Sequence, residues 1–274
     1  MKKKILIIGS SGNIGALLTS NLREEFVIYE ISSKKKNNSN PNIINLSLYS
    51  KILKIKKIKK FKKINFRAII FLSTIRNRND CHKIFYLINN TVELLKKLKY
   101  QKFINFSSIS VYQKNKKKLY DIDSKLWPIL NSDFEYSVNK VITEMYFFHY
   151  FYSLNINKFI NLRVGQVFGN YSNKQSILYK LSQSVMKNEK FTIYGHGKRT
   201  ITYILEKDLI LLIKKLIINN SKHLNINAIT SSTNIKTLIK DFIKQNQNKK
   251  LIYEFKNNLL ESNERYKIKK NYNV

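Results

Sequence analysis

A tyrosine and a lysine stand four residues apart in the segment YSVNK, as Tyr136 and Lys140. The segment opens a long predicted helix over 134–154, and residues four apart share one helix face. A free tyrosine has a pKa of about 10 and is a poor base near neutrality. A nearby ammonium group favours the phenolate and so makes it a better base. The pair therefore predicts acid/base chemistry, provided that other segments supply the rest of a site.

The glycines are few and clustered. All seven lie in three short segments, namely Gly9, Gly12 and Gly15, then Gly165 and Gly169, then Gly195 and Gly197. The first cluster, GSSGNIG, comes directly between a predicted strand at 4–8 and a predicted helix at 14–22. Glycines there permit a tight turn and let a pyrophosphate approach backbone N–H groups at a helix N-terminus. This context predicts a dinucleotide site.

Strand-like and helix-like segments alternate along the first part of the chain. Strands are predicted at 4–8, 26–31, 68–72, 102–106 and 158–163, and helices at 14–22, 51–63, 84–98 and 134–154. This order predicts an α/β fold with a doubly wound, parallel, Rossmann-type sheet. We expect residues 1–165 to form the dinucleotide-binding domain, with about 198–230 returning to it. Residues 166–274 should form mainly a smaller C-terminal substrate-binding lobe.

Three further segments, taken together with the glycine turn and YSVNK, match the sequence pattern of one family. FSSISVY (106–112) matches its S-S-x-x-V-Y segment, LRVGQVFG (162–169) is similar to L-R-x-x-N-V-Y-G, and YGHGKR (194–199) is similar to G-x-G-x-x-R. In this combination the sequence resembles the extended short-chain dehydrogenase/reductase superfamily, in its NAD-dependent epimerase/dehydratase branch. That branch modifies nucleotide-activated sugars, for example in polysaccharide biosynthesis.

The resemblance implies a role for each matching residue. The catalytic residues would be Ser108, Tyr136 and Lys140. Cofactor contacts would come from Gly9, Ser11, Gly12, Asn13, Ile14, Gly15, Glu30, Ser32, Leu72 and Lys140. The nucleotide-sugar substrate would meet Ser108, Gln166 and Arg199. Hydride transfer would occur at a sugar carbon while the tyrosine moves the hydroxyl proton.

The expected cofactor depends on the residue at which the second strand ends. An acidic residue at the strand end would bind the ribose 2′-hydroxyl of NAD, and Glu30 fits that place. If the strand ends two residues later, Ser32 takes the place, and Lys34 to Lys36 could hold the 2′-phosphate of NADP. NAD is favoured, because a serine-lysine run is common in a chain of this composition.

Departures from the family pattern narrow the reaction. Sugar-nucleotide dehydratases of this family carry Asp-Glu after the catalytic serine, where this chain has Ile109 and Ser110. Epimerase or ketosugar reductase activity is therefore expected. The alternative is a non-catalytic dinucleotide-binding sensor or scaffold of the same fold.

The composition also indicates which binding partners and which cellular compartment to expect. The net charge of +34 accompanies many Lys, Asn and Ile residues and few Gly and Pro, a pattern expected from an A/T-rich genome. We therefore predict no specific nucleic-acid partner, although anionic substrates would be attracted. The single Cys81, the short apolar N-terminus and the lack of a membrane-spanning stretch predict a soluble, cytoplasmic protein. No metal-ligand pattern is found.

The helix over 134–154 predicts the assembly. It is apolar nearly all round, so both of its faces should be covered. The core can cover one face, and a second subunit could cover the other. We therefore expect a homodimer formed through Phe134–Leu154.

Overall fold

A computed structural model describes residues 2–34, 40–51, 55–76, 78–112, 119–126, 134–154, 158–219, 224–245, 252–256 and 267–272. The helices are α1 (Asn13–Leu22), α2 (Ile84–Leu95), α3 (Phe134–Tyr152), α4 (Ile177–Lys187), α5 (Glu206–Ile218) and α6 (Ile235–Gln245). Short 3₁₀ helices cover Ile55–Phe61, Arg78–Lys83 and Ile109–Val111.

The longer strands are β1 (Lys3–Ile8), β2 (Phe26–Ser32), β3 (Ile43–Asn45), β4 (Ala68–Phe71), β5 (Phe103–Ser108), β6 (Phe159–Val164), β7 (Gln166–Phe168), β8 (Phe191–Tyr194), β9 (Thr200–Leu205), β10 (Asn225–Ala228), β11 (Ser231–Asn234) and β12 (Tyr253–Lys256). Two-residue strands also pair Asn65–Phe66 with Lys99–Tyr100, and Leu119–Tyr120 with Lys267–Ile268.

Seven strands form the main sheet in the order β10-β6-β5-β4-β1-β2-β3, and every neighbouring pair is parallel. The predicted doubly wound α/β fold is therefore confirmed. Strand order reverses beside β1, whose neighbours β2 and β4 lie on opposite sides of it. In such sheets ligands bind at the carboxyl ends of the strands, at this switch point.

Helices cover both faces of the sheet because the central strands are apolar on both sides. Along β1, Leu6 and Ile8 pack with α2 and α3, whereas Ile5 and Ile7 pack with α1 and α5. Side chains alternate along a strand, so an unbroken apolar run such as ILII (5–8) supplies both layers. Two separate cores result, one on each face.

The second lobe has a core of its own. Strands β7, β9 and β11 form a three-stranded sheet, and β8 pairs with β12. Apolar residues of α4 and α6 pack with residues of these strands, among them Leu181, Phe191, Ile201 and Leu238. Although β9 belongs to this lobe, α5 after it packs on the main sheet and β10 joins that sheet.

The lysine-rich segment predicted as an α-helix over 51–63 is a 3₁₀ helix over Ile55–Phe61 in its described part. Its buried residues Ile58 and Phe61 are three apart, the repeat of a 3₁₀ turn. The lysine face also makes specific contacts. Lys57 and Lys60 donate from Nζ to the Asn45 and Ile43 carbonyls of the edge strand β3, at 3.0 and 3.2 Å.

Candidate active site

The glycine turn lies between β1 and α1, as the sequence predicts. Gly9 has φ +90°, and a Cβ there would come within 2.8 Å of the Ser73 Oγ atom. A Cβ on Gly15 would lie 2.6 Å from backbone atoms of Ser10. Both positions therefore require glycine for the turn itself.

Gly12 differs, because a Cβ on it would meet only the Gly9 carbonyl oxygen, at 3.8 Å. Its backbone is extended, with φ −84° and ψ 171°, which any residue can adopt. Gly12 is also the N-cap of α1, makes no side-chain cap and is followed by no acidic residue in the first turn. The space beside Gly12, in front of a helix N-terminus, suits the pyrophosphate of a dinucleotide.

The other predicted cofactor residues of the turn surround this space. Asn13 is exposed, Ser11 and Ile14 are half-buried. Leu72 follows β4 and donates its amide to the Ile8 carbonyl at 2.9 Å, which places it beside Gly9. The structure thus brings the ends of β1 and β4 and the start of α1 together at the switch point.

The two candidate ribose-binding residues lie on β2, one inside the strand and one at its end. Glu30 is buried and pairs in register with Ile7. Ser32 is the last residue of the strand, is fully buried, and its hydroxyl donates to the Lys34 carbonyl at 2.8 Å. Lys35 and Lys36 lie outside the described residues. The choice between Glu30 and Ser32 stays a prediction.

Ser108 ends β5 and stands opposite Val164 of β6. Its hydroxyl oxygen accepts hydrogen bonds from the Ser110 amide at 3.2 Å and from the Ser110 hydroxyl at 3.0 Å. A serine hydroxyl has two acceptor lone pairs and one proton. Since Ser110 occupies both lone pairs, the proton of Ser108 is directed to an acceptor elsewhere.

Tyr136 and Lys140 share one face of α3, as their spacing predicts. The Lys140 Nζ atom lies 5.8 Å from the centroid of the Tyr136 ring. It donates to the Phe106 carbonyl at 2.5 Å, two residues before Ser108 on β5. Lys140 is 4% exposed, so the ammonium group is held between the helix and the end of the strand.

This environment changes the acidity of the lysine. Burial lowers the pKa of Lys140 to about 7, and the nearby positive charge of Arg76 acts in the same direction. The carboxylate of Glu144 opposes both effects.

A buried network holds α3 against β6. Arg163 donates to the Glu144 carboxylate from Nε at 3.2 Å and from Nη2 at 2.9 Å, and both side chains are about 5% exposed or less. Arg163 Nη1 also donates to the Tyr112 hydroxyl oxygen at 3.0 Å, and that hydroxyl donates to Asn227 Oδ1 at 2.5 Å. Because Glu144 stands one turn after Lys140, the network fixes this turn of α3.

The predicted substrate residues lie in different places. Gln166 begins β7, two residues after the strand neighbour of Ser108, and its buried Oε1 atom has no hydrogen-bond partner in the described structure. A buried amide oxygen without a partner is costly, so this atom can accept a hydrogen bond from a ligand or a water molecule. Arg199 precedes β9 on the second lobe and is exposed.

Sequence reasoning missed Arg76, which follows β4 and whose guanidinium carbon lies 5.1 Å from the centroid of the Tyr136 ring. No motif marks it. Across the ranges that the structure describes, no three His, Cys, Asp or Glu side chains are grouped to bind a metal ion. Nor does any helix in those ranges have the length and apolarity to cross a membrane.

Comparison with known proteins agrees with this geometry. A sequence model of the NAD dependent epimerase/dehydratase family matches residues 5–227. No curated protein matches the sequence. The chain is similar to a solved structure of UDP-glucuronic acid 4-epimerase from Bacillus cereus, in complex with UDP-glucuronic acid and NAD. The identity is 18%, the TM-score 0.72, and the alignment covers 93% of this chain and 87% of the other.

Two further solved structures are similar over nearly the whole chain. UDP-glucose 4-epimerase from Thermotoga maritima, with UDP-glucose, has 18% identity and a TM-score of 0.73, with 97% of this chain and 90% of the other covered. dTDP-glucose 4,6-dehydratase from Bacillus anthracis, with NAD, has 16% identity and a TM-score of 0.73, with 98% and 88% covered. At such low identity these structures establish the shared fold.

Proposed function

The chain belongs to the NAD dependent epimerase/dehydratase family, and on that basis we propose that it is an epimerase or ketosugar reductase that acts on a nucleotide-activated sugar. The observation that carries this proposal is the position of Lys140, held between the Tyr136 ring and the end of β5, two residues from Ser108. Lys140 thereby links the helix that carries Tyr136 to the end of the strand that carries Ser108.

Ser108 would hydrogen-bond the reacting oxygen of the sugar. Its two lone pairs accept from Ser110, so its proton is available for that oxygen. The same contacts give Ser110 a supporting role. Gln166, whose buried amide oxygen is unsatisfied, would accept a hydrogen bond from a second hydroxyl of the sugar.

Tyr136 would take the proton from the sugar hydroxyl, or return it when the reaction runs the other way. Lys140 makes this feasible near neutral pH, because an ammonium group beside the ring favours the phenolate.

The glycine turn would bind NAD, with the backbone around Gly12 at the pyrophosphate and Lys140 at the nicotinamide ribose. Bound NAD would accept a hydride from the sugar carbon or return it. Gly12 fits this role because the space in front of it is open and the N-terminus of α1 carries no acidic residue. Glu30 or Ser32 would meet the adenosine ribose.

Epimerisation and reduction are favoured over water elimination by the residues after Ser108. Ile109 and Ser110 replace the acid pair that the elimination needs, and Ser110 is already engaged with Ser108. Neither residue can act as the acid or base for loss of water. The identity of the sugar, and of the nucleotide that carries it, is left to experiment.

Mass spectrometry of the dinucleotide released from purified protein would test the proposal. We expect NAD to be retained if the enzyme is an epimerase, because an epimerase regenerates its cofactor in each cycle. Exchangeable NADPH is expected for a reductase. A protein that retains no dinucleotide and binds neither when they are added would contradict the proposal.

We propose further that the protein is a homodimer through the helix Phe134–Tyr152. Met145, Phe148 and Tyr152 form a stripe at helical spacing, and their side chains are 64%, 42% and 71% exposed. Phe85 of the adjacent α2 adds an exposed ring. A contiguous apolar surface formed by two neighbouring helices is typical of a subunit interface.

A charge placed on this stripe should separate the subunits. We expect wild type to sediment as a dimer at micromolar concentration and Met145→Glu to sediment as a monomer. Met186→Glu on α4 is the matched control, since Met186 is 66% exposed and lies in the second lobe. The control should remain dimeric. A monomeric wild type would refute the interface.

A further inference from the structure

Arg76 stands on the face of the tyrosine ring. Its guanidinium carbon lies 5.1 Å from the centroid of the Tyr136 ring, and the Lys140 Nζ atom lies 5.8 Å from the same centroid. We propose that Arg76 is a positioning residue for Tyr136, holding the ring by stacking and stabilising the phenolate with its charge. The inference rests on the proposed function of Tyr136 as the proton-transferring group.

The loop that carries Arg76 is fixed from three sides, although the Arg76 side chain itself is exposed. Leu72 donates its amide to the Ile8 carbonyl at 2.9 Å. The Tyr49 hydroxyl donates to the Thr74 carbonyl at 3.2 Å. The Asn139 amide donates to the Ile75 carbonyl at 3.3 Å, directly before Arg76. The backbone at Arg76 is therefore anchored, and only the side chain has freedom.

The contact from Asn139 connects this loop to the catalytic helix. Asn139 is 3% exposed and immediately precedes Lys140. Its side chain is long enough to reach across to the loop after β4. Asn139, which contacts this loop, and Lys140, which contacts the end of β5, are thus adjacent on α3, so the backbone that carries Arg76 is held close to the Tyr136 ring.

Two ion pairs lie around this turn in the described part of the chain. Glu144 on α3 pairs with Arg163 from β6. Asp80 and Lys83, on the 3₁₀ helix that packs on α3, pair with each other at 2.6 Å. Strand β5 has no charged residue. Removal of the Arg76 charge should therefore act on the Tyr136–Lys140 pair directly, and Arg76 lowers the pKa of Lys140 in the structure.

NMR of protein labelled with ¹³C at Tyr Cζ tests this without any need for turnover. The Tyr136 signal is identified by its loss in Tyr136→Phe, and its titration midpoint is then measured. We expect Arg76→Gln to raise the midpoint by about one pH unit, because a positive charge within about 6 Å is lost. Arg76→Lys, which keeps the charge, should have a Tyr136 midpoint close to that of wild type.

Arg23→Gln is the matched control, since Arg23 is also exposed but lies at the far end of α1. The Tyr136 midpoint in Arg23→Gln should equal that of wild type. An unchanged midpoint in Arg76→Gln, or an equal shift in Arg23→Gln, would overturn the role of Arg76. If the Arg76 shift is found but Tyr136→Phe leaves turnover intact, the proposed function fails while the contact stands.

Discussion

Tyr136→Phe should reduce turnover of the sugar nucleotide by about 10²- to 10⁴-fold, the usual contribution of a positioned acid or base. The substitution removes only the hydroxyl oxygen and leaves the ring between Arg76 and Lys140. Cofactor binding should be unchanged, because Lys140 and the glycine turn are intact. The measurements are steady-state rates on a panel of sugar nucleotides and NAD affinity by calorimetry.

Tyr146→Phe is the matched control for this substitution. Tyr146 lies on the same helix, and its hydroxyl donates to Asn89 Oδ1 at 2.9 Å on the protein surface. Loss of that hydroxyl should leave the rate within a factor of two or so, since surface changes of this kind are worth about 0.5 kcal/mol or less.

The same experiment separates an enzyme from a non-catalytic sensor of the same fold. If wild type and Tyr136→Phe are equally inert on every sugar nucleotide but bind NAD equally well, the sensor is correct. We favour an enzyme because Ser108, Tyr136 and Lys140 are present together.

The fold could be predicted from the sequence because the information is local and periodic. The strand-like segments predicted at 4–8, 68–72 and 158–163 each fall on a largely buried strand of the main sheet. The glycine turn fixes where the sheet begins, and the alternation of strands and helices fixes its parallel sense. The helix predicted over 51–63 was wrong in type, because spacing of three suits a 3₁₀ turn equally well.

Contacts in the site could be predicted only where both residues belong to the same sequence motif. Tyr136 and Lys140 lie one turn apart, so their proximity follows from the helix. Arg76 reaches the same ring from a loop 60 residues earlier in the chain, and no spacing rule connects the two. The link between Tyr112 and Asn227 likewise depends on two strand ends meeting. Such long-range contacts depend on tertiary packing.

Alanine at Gly15 should lower stability, whereas alanine at Gly12 should weaken cofactor binding. Gly15→Ala places a Cβ 2.6 Å from the Ser10 backbone, which cannot move aside as a side chain could. Alanine is favoured in a helix by about 1 kcal/mol, but overpacking costs about 1–3 kcal/mol, and a backbone contact belongs at the upper end. We expect the melting temperature of the cofactor-free protein to fall by several degrees.

Gly12→Ala should leave that melting temperature unchanged, because its Cβ meets only one atom, at 3.8 Å, and the backbone angles suit alanine. The methyl group would instead fill the space proposed for the pyrophosphate. We expect NAD affinity to fall at least tenfold, equivalent to about 1.4 kcal/mol. Calorimetry on folded Gly12→Ala thus isolates binding from folding. Wild-type affinity in this variant would mean that the dinucleotide lies elsewhere, however well the turn matches its family.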